Sequence, residues 1–238
     1  MPRVDGRRND ELRKIEIIPD YIPNAHGSCL IKWGNTQVIC TAMLEEGVPP
    51  FKKDSGEGWL TSEYAMLPAS TNTRKRRETI KPDGRSTEIK RLIGRCMRAI
   101  CDYSALDGYT VWVDCDVINA DGGTRTASIT GSYVALMQAA KKWFDEGTLK
   151  KNPIVGQLAA VSVGIVGGEV MVDLPYAEDS VAEVDMNIVM NVKGEYLEVQ
   201  GTGEKRAYTR NELKLLLDYA HDAIKEVMQI QTVAIFEE

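Results

Sequence analysis

The 238-residue sequence predicts an α+β fold with mixed sheets and helices packed on them. Three observations carry that expectation. Short runs rich in β-branched and aromatic residues, bounded by turn chemistry, read as strands. Longer stretches switch to the helical period. The order of strands followed by a helix occurs twice, on either side of the polar break GTLKKNPIV. The chain is therefore read as a single domain, 1–238, built of two repeated halves at about 1–147 and 152–238.

In the first half, RKIEIIPDYI and SCLIKWGNTQVICTAML are strands, and WGNT is a hairpin turn inside the second of them. EEGVPPFKKDSGEG is a loop. WLTSEYAMLPAS resumes as a strand and stops at its proline, and TNTRKRRETIKPDGRS is polar, basic and poorly periodic. TEIKRLIGRCMRAICDY then turns helical, with Ile89, Leu92, Ile93, Cys96, Met97 and Ile100 on one face. TVWVDCDVINA is a strand, and ITGSYVALMQAAKKW is a helix. In the second half, LAAVSVGIV and EVMVDLPY form a hairpin across GG, and AEVDMNIVMNV and EYLEVQG form another across KGE. The last helix starts at Thr209, where Thr209 and Glu212 make a capping box, and carries Leu213, Leu216, Leu217, Ala220, Ile224 and Val227 on one stripe.

Composition narrows the function classes. The net charge is −6, so there is no global basic footprint, and any nucleic acid must be met by a local patch. The five cysteines include no C-x-x-C pair and sit mostly in apolar runs, which fits buried, reduced thiols in a reducing compartment. His26 and His221 are too few and too isolated for a histidine metal site, and read as surface or helix-end residues. The N-terminus has no apolar signal-peptide core, and no run approaches bilayer length, so a soluble, cytoplasmic protein is expected.

Five stretches could carry chemistry. DGGTRTAS, residues 121–128, joins a strand to a helix. A helix start exposes unpaired N–H groups and a partial positive charge. Gly122 and Gly123 permit close backbone approach, Thr124 adds a hydroxyl and a possible cap, and Arg125 adds a planar fork suited to phosphate. The bland alternative is a turn and a cap. DGRSTEI, residues 83–89, has the same layout, and Arg85 there opposes the helix dipole, so stability does not explain it. Arg85 and Arg125 could share one phosphate, or be unrelated surface arginines. In EDSVAEVDMNIVMN, Asp185 sits in a strand, where aspartate is disfavoured, and Asp179 lies six residues before it. Such a pair suits Mg²⁺ with water and phosphate oxygens, or merely pairs with lysine or arginine. TRKRRE, with Arg74, Lys75, Arg76 and Arg77, is a solvated loop or a polyanion contact. In QGTGE, residues 200–204, the glycines read as a strand-to-helix turn rather than a ligand site.

Together these stretches closely resemble the ribonuclease PH family along almost the whole chain. The likeness runs through RVDGRRNDELRKIEI, GNTQVICTAML, GWLTSEYAMLP, GRSTEIKRLIGR, DVINADGGTRTASITGSYVAL, EDSVAEVDMNIVM and EVQGTGE. It implies a duplicated βαβ-type fold, a homohexameric ring arranged as a trimer of dimers, and phosphorolytic 3′→5′ trimming of tRNA precursors. It also implies that Arg85, Gly123, Thr124 and Arg125 hold inorganic phosphate, that Asp179 and Asp185 form a Mg²⁺-assisted catalytic site together with Arg125, and that Arg74, Arg76 and Arg77 contact RNA. Ala69 stands where that family often carries arginine, so one RNA contact is not carried over. The rival readings are a catalytically silent RNA-binding ring subunit, a hydrolytic nuclease using the same carboxylates, and a small-molecule phosphate-binding enzyme.

Overall fold

The computed structural model of the chain describes residues 3–77 and 83–236. Within them, strands β1 (Ile15–Pro19), β2 (Gly27–Trp33), β3 (Thr36–Glu46), β4 (Trp59–Met66) and β5 (Tyr109–Asn119) form one sheet in the order β1-β2-β3-β5-β4. WGNT is the tight turn between β2 and β3, where Gly34 supplies a φ of 56°. β4 and β5 run parallel, which demands a crossover, and helix α1 (Gly84–Arg98) supplies it. Its predicted apolar face is buried from Ile89 to Met97, and Ile100 is buried just beyond the helix end.

Strands β6 (Leu158–Val166), β7 (Glu169–Val172), β8 (Val184–Asn191) and β9 (Tyr196–Gly203) form a second sheet in the order β7-β6-β8-β9, with every pairing antiparallel. The short helix α3 (Tyr176–Asp179) links β7 to β8, and α4 (Arg210–Phe236) closes the chain. The capping box at its start is formed: Thr209 N donates to Glu212 Oε2 at 2.7 Å, and Glu212 N donates to Thr209 Oγ1 at 3.2 Å.

Helix α2 (Thr124–Asp145) packs on β2 and β3 of the first sheet and on β6 of the second. Thr124 and every residue from Thr126 to Leu136 are buried, the mark of a helix covered on all sides. Close passage requires small residues. A Cβ on Gly27 would stand 2.1 Å from the Ala135 carbonyl oxygen, and one on Gly131 would stand 2.7 Å from Cys40 Sγ. The main apolar core runs from Val38 and Val113 through Ile129 and Leu136 to Val161, Ile188 and Ile224. The start of α2 is therefore anchored by the whole core.

The five thiols are unpaired; four are buried and Cys101 is half-buried. His26 departs from the expectation of a surface residue: it is half-buried, and its Nδ1 accepts from Leu44 N at 3.0 Å and Trp143 Nε1 at 2.9 Å. No helix among the described residues is long and apolar enough to cross a membrane.

Candidate active site

The hinge DGGTRTAS is the link from β5 to α2. Gly122 and Gly123 both take left-handed backbone, with φ of 74° and 67°. Gly122 is also sterically required, since a Cβ there would lie 2.2 Å from the Leu174 carbonyl oxygen. Gly123 is the N-cap of α2, and Thr124 is its first helical residue, so the cap expected of Thr124 is not made. The Thr124 hydroxyl is instead buried 2.9 Å from Tyr64 Oη. Among the described residues, the N–H groups of Gly123, Thr124 and Arg125 meet no acceptor. Three open donors thus stand together at the positive end of a 22-residue helix, where backbone N–H groups and the helix dipole favour negative charge.

The second arginine-bearing turn arrives at the same place. Asp83 caps α1, accepting from Ser86 N at 2.6 Å, and this bond, reinforced by Lys75, pulls its carboxyl down to about 2. That cap leaves Arg85 exposed in the first turn. Arg85, Gly123, Thr124 and Asp179 line one cleft of about 410 Å³, with Lys75 and Tyr176 at its sides.

Arg125 and Asp185 do not line that cleft but are coupled to it. Arg125 Nη1 donates to Gln200 Oε1 at 2.6 Å and to Glu88 Oε1 at 3.3 Å. Burial, and next the neighbouring Asp179 carboxylate, push Asp185 up to about 6, against the pull of Arg125 and Arg85. Burial likewise raises Asp179 above the ordinary carboxylate value, opposed by Arg85 and Arg125. Arg85, Arg125, Asp179 and Asp185 thus share one electrostatic neighbourhood.

Neither aspartate's carboxylate has a hydrogen bond or ion pair among the described residues. Two half-buried like charges without a partner are costly, and a divalent cation would relieve both. No group of three or more acidic, histidine or cysteine side chains that could hold a metal occurs among the described residues. A cation here would take two carboxylates and complete its shell with phosphate oxygens and water.

The basic loop is placed at the cleft's edge. Arg74, Arg76 and Arg77 are exposed and unpaired among the described residues, while Lys75 bonds Asp83 at 3.2 Å. The rest of that stretch, residues 78–82, lies outside the described residues. Ala69 is exposed and shares a polar groove with Asn72 and Tyr176.

QGTGE departs from its expected turn. It continues β9 as far as Gly203, and the β8–β9 register sets Gln200 opposite Asn187 and Thr202 opposite Asp185. Gln200 was therefore missed as a site residue; the strand alternation of β8, continued across the KGE hairpin, was the signal that could have found it. Asp121 was missed too. Its carboxylate accepts from Tyr176 N at 3.1 Å and from Asn35 Nδ2 at 3.1 Å, tying the glycine turn to α3 and to the β2–β3 turn.

Comparisons with known proteins show the family and the fold. Models of the 3′ exoribonuclease family match residues 11–142 (domain 1) and 156–223 (domain 2). Ribonuclease PH of Corynebacterium glutamicum (strain R) is 53% identical over 235 residues, covering 98% of this chain and 96% of that protein. Ribonuclease PH of Corynebacterium efficiens is 51% identical over the same coverage. The Archaeoglobus fulgidus exosome, solved with RNA bound to the active site, superposes with a TM-score of 0.82 at 29% identity, over 95% of this chain and 91% of that one. Rice Rrp46 superposes with a TM-score of 0.80 at 17% identity, over 98% and 100%, a likeness of fold. With family models covering both halves and relatives above half identity end to end, the chain belongs to the 3′ exoribonuclease family, among the ribonucleases PH.

Proposed function

We propose that the cleft is where this chain, a phosphorolytic 3′→5′ exoribonuclease acting on RNA, holds inorganic phosphate against an RNA 3′ end. The observation that carries the reading is the convergence of two arginine-bearing helix starts on one pair of unpartnered carboxylates. Arg85, Arg125 and the open N–H groups at Gly123 and Thr124 bind and orient the phosphate. One of its oxygens attacks the last phosphorus, and the bond from that phosphorus to the preceding 3′ oxygen breaks. The leaving 3′ oxygen takes up the proton shed by the attacking phosphate. The products are a nucleoside 5′-diphosphate and an RNA shorter by one nucleotide. A diphosphate preserves much of the bond energy, so the reverse addition also runs.

Asp179 and Asp185 are the residues that would hold Mg²⁺, which when bound supplies charge stabilisation at the attacked phosphoryl group. Arg74, Arg76 and Arg77 grip the RNA backbone without reading sequence. The substrate we infer is the 3′ end of tRNA precursors, on the strength of the likeness to the ribonucleases PH. We read the chain as one domain of two halves, working in the cytoplasm within a homohexamer, a trimer of dimers. Exposed Tyr196, Val199 and Leu215 on β9 and α4 offer apolar surface for such contacts.

Chromatography of the products from an RNA with extra 3′ nucleotides, with and without phosphate, tests the reading. Diphosphates that need phosphate, and a loss of about 10²–10³ in rate on Arg125→Ala, are the expected result. Monophosphates released without phosphate, or normal trimming by the variant, overturn it.

A further inference from the structure

The two sides of the cleft come from distant parts of the chain, and one N-terminal segment reaches both. Arg13 is buried. Its Nη2 lies 2.6 Å from Asp173 Oδ1, its Nε donates to Oδ2 at 3.0 Å, and its backbone N donates to Oδ2 at 2.7 Å. The same guanidinium donates through Nη1 to the Asp121 carbonyl at 2.5 Å and through Nη2 to the Gly122 carbonyl at 3.4 Å. A Cβ on Gly123 would stand 3.3 Å from Arg13 Nη2, so the turn lies against it.

Asp173 is the hub. It is buried in left-handed backbone, with φ of 54°, a conformation that L side chains rarely adopt. Burial raises its carboxyl, but the Arg13 guanidinium and then Arg7 outweigh this and hold it below the ordinary value. Its carbonyl accepts from Arg3 Nη2 at 2.9 Å and Arg7 Nη2 at 3.1 Å. Arg3 in turn grips Glu178, with 2.7 Å between Nη2 and Oε2, both side chains almost wholly buried. Glu178 directly precedes Asp179 in α3.

Buried ion pairs are weak devices for stability, because desolvation offsets much of their attraction; their best-attested use is to fix registry. We propose that Arg13 and Arg3 are positioning residues: Arg13, seated on Asp173, sets the glycine turn that faces phosphate, and Arg3, through Glu178, sets the Asp179 carboxylate. The inference rests on the reading of the cleft given above.

The test is steady-state phosphorolysis of a short RNA by the full chain at varied phosphate, with Mg²⁺ binding measured separately by calorimetry. Arg13→Lys keeps the charge but cannot reach Asp173 and both carbonyls, so the KM for phosphate should rise about 10- to 100-fold with the KM for RNA unchanged. Thr36→Val carries no charge and removes a second brace on the same turn, since Thr36 Oγ1 donates to the Gly122 carbonyl at 2.7 Å and accepts from Asp121 N at 2.9 Å. It should raise the same KM several-fold, and it decides the matter if Arg13→Lys does not fold. Glu178→Gln should weaken Mg²⁺ binding about tenfold and leave the phosphate KM within twofold. If all three variants merely lower kcat with unchanged constants, the residues are only structural and the proposal falls. A normal phosphate KM in Arg13→Lys and Thr36→Val, beside a defective Arg125→Ala, overturns this inference alone. A normal Arg125→Ala overturns the reading of the cleft, and this inference with it.

Discussion

Arg125, in the first turn of α2, is ion-paired to Glu88 of α1, with 3.3 Å between Nη1 and Oε1. Gln200 joins both, accepting from Arg125 at 2.6 Å and donating to Glu88 at 3.1 Å. On the proposed reading, a phosphate held by Arg125 would compete with the Glu88 carboxylate for the same guanidinium. Glu88→Gln keeps an acceptor for Gln200 and removes the rival charge. The pair is partly exposed, so the gain is small: the KM for phosphate should fall by up to about fivefold, with kcat little changed. A phosphate titration of diphosphate release checks this. A raised KM would mean that Glu88 orients Arg125 rather than competing for it.

The carboxylate pair makes the metal-free protein pH-sensitive. Asp185 titrates at about 6 in the fold, above its ordinary 3.8. Below 3.8 it is protonated in both the folded and unfolded states and costs nothing. Between there and about 6 the unfolded chain releases a proton that the fold retains, so stability falls as pH rises through that window. Above it the full penalty stands, on the order of 2–3 kcal/mol, and the raised Asp179 acts in the same direction as part of a coupled pair. Asp185→Asn should therefore stabilise the metal-free protein at pH 8 by about 1–3 kcal/mol and hardly at all at pH 4. Urea unfolding at the two pH values measures the difference, and saturating Mg²⁺ should shrink it. A stabilisation independent of pH would remove Asp185 from this role.

Much of this was legible in the sequence, for identifiable reasons. Strand alternation and turn residues marked both hairpins of the second half, and the helical period marked the buried face of α1. The DGGTR hinge was readable because glycine, hydroxyl and arginine types each have a local meaning at a helix start. What stayed hidden depends on partners far along the chain. Nothing near Arg13 announces Asp173, and a buried arginine reads in sequence like an exposed one. Thr124 looked like a cap because threonine usually caps, yet Tyr64 from a distant strand takes its hydroxyl. Gln200 required the register of β9 on β8, which the glycines of QGTGE obscured by resembling a turn. Those glycines answer packing instead: a Cβ on Gly201 would stand 2.6 Å from Met186 Cγ.

On the proposed reading, the basic loop meets the RNA and not the phosphate. Arg74, Arg76 and Arg77 are exposed, so their attraction for an RNA backbone is screened by salt. Replacing all three with alanine should raise the KM for RNA, leave the KM for phosphate unchanged, and flatten the plot of log affinity against log salt. Each lost single-strand phosphate contact lowers that slope by about 0.7, so the triple variant should lose about 2. Fluorescence-anisotropy titrations of a short single-stranded RNA at several salt concentrations read it directly. An unchanged slope would place the RNA path elsewhere.

Ala69 offers the converse experiment. It is exposed and shares a polar groove with Asn72 and Tyr176, next to the cleft that Tyr176 also lines. The alanine leaves room there and makes no hydrogen bond through its side chain, so Ala69→Arg should fold normally. A guanidinium at this position adds one cation to the path of a negatively charged strand. The expected result is a steeper salt dependence, by about 0.7, and an RNA affinity raised several-fold at low salt. The KM for phosphate should not move, because Arg85 and Arg125 are untouched. If phosphate binding changes while RNA binding does not, the groove at Ala69 belongs to the phosphate side of the cleft and not to the RNA side.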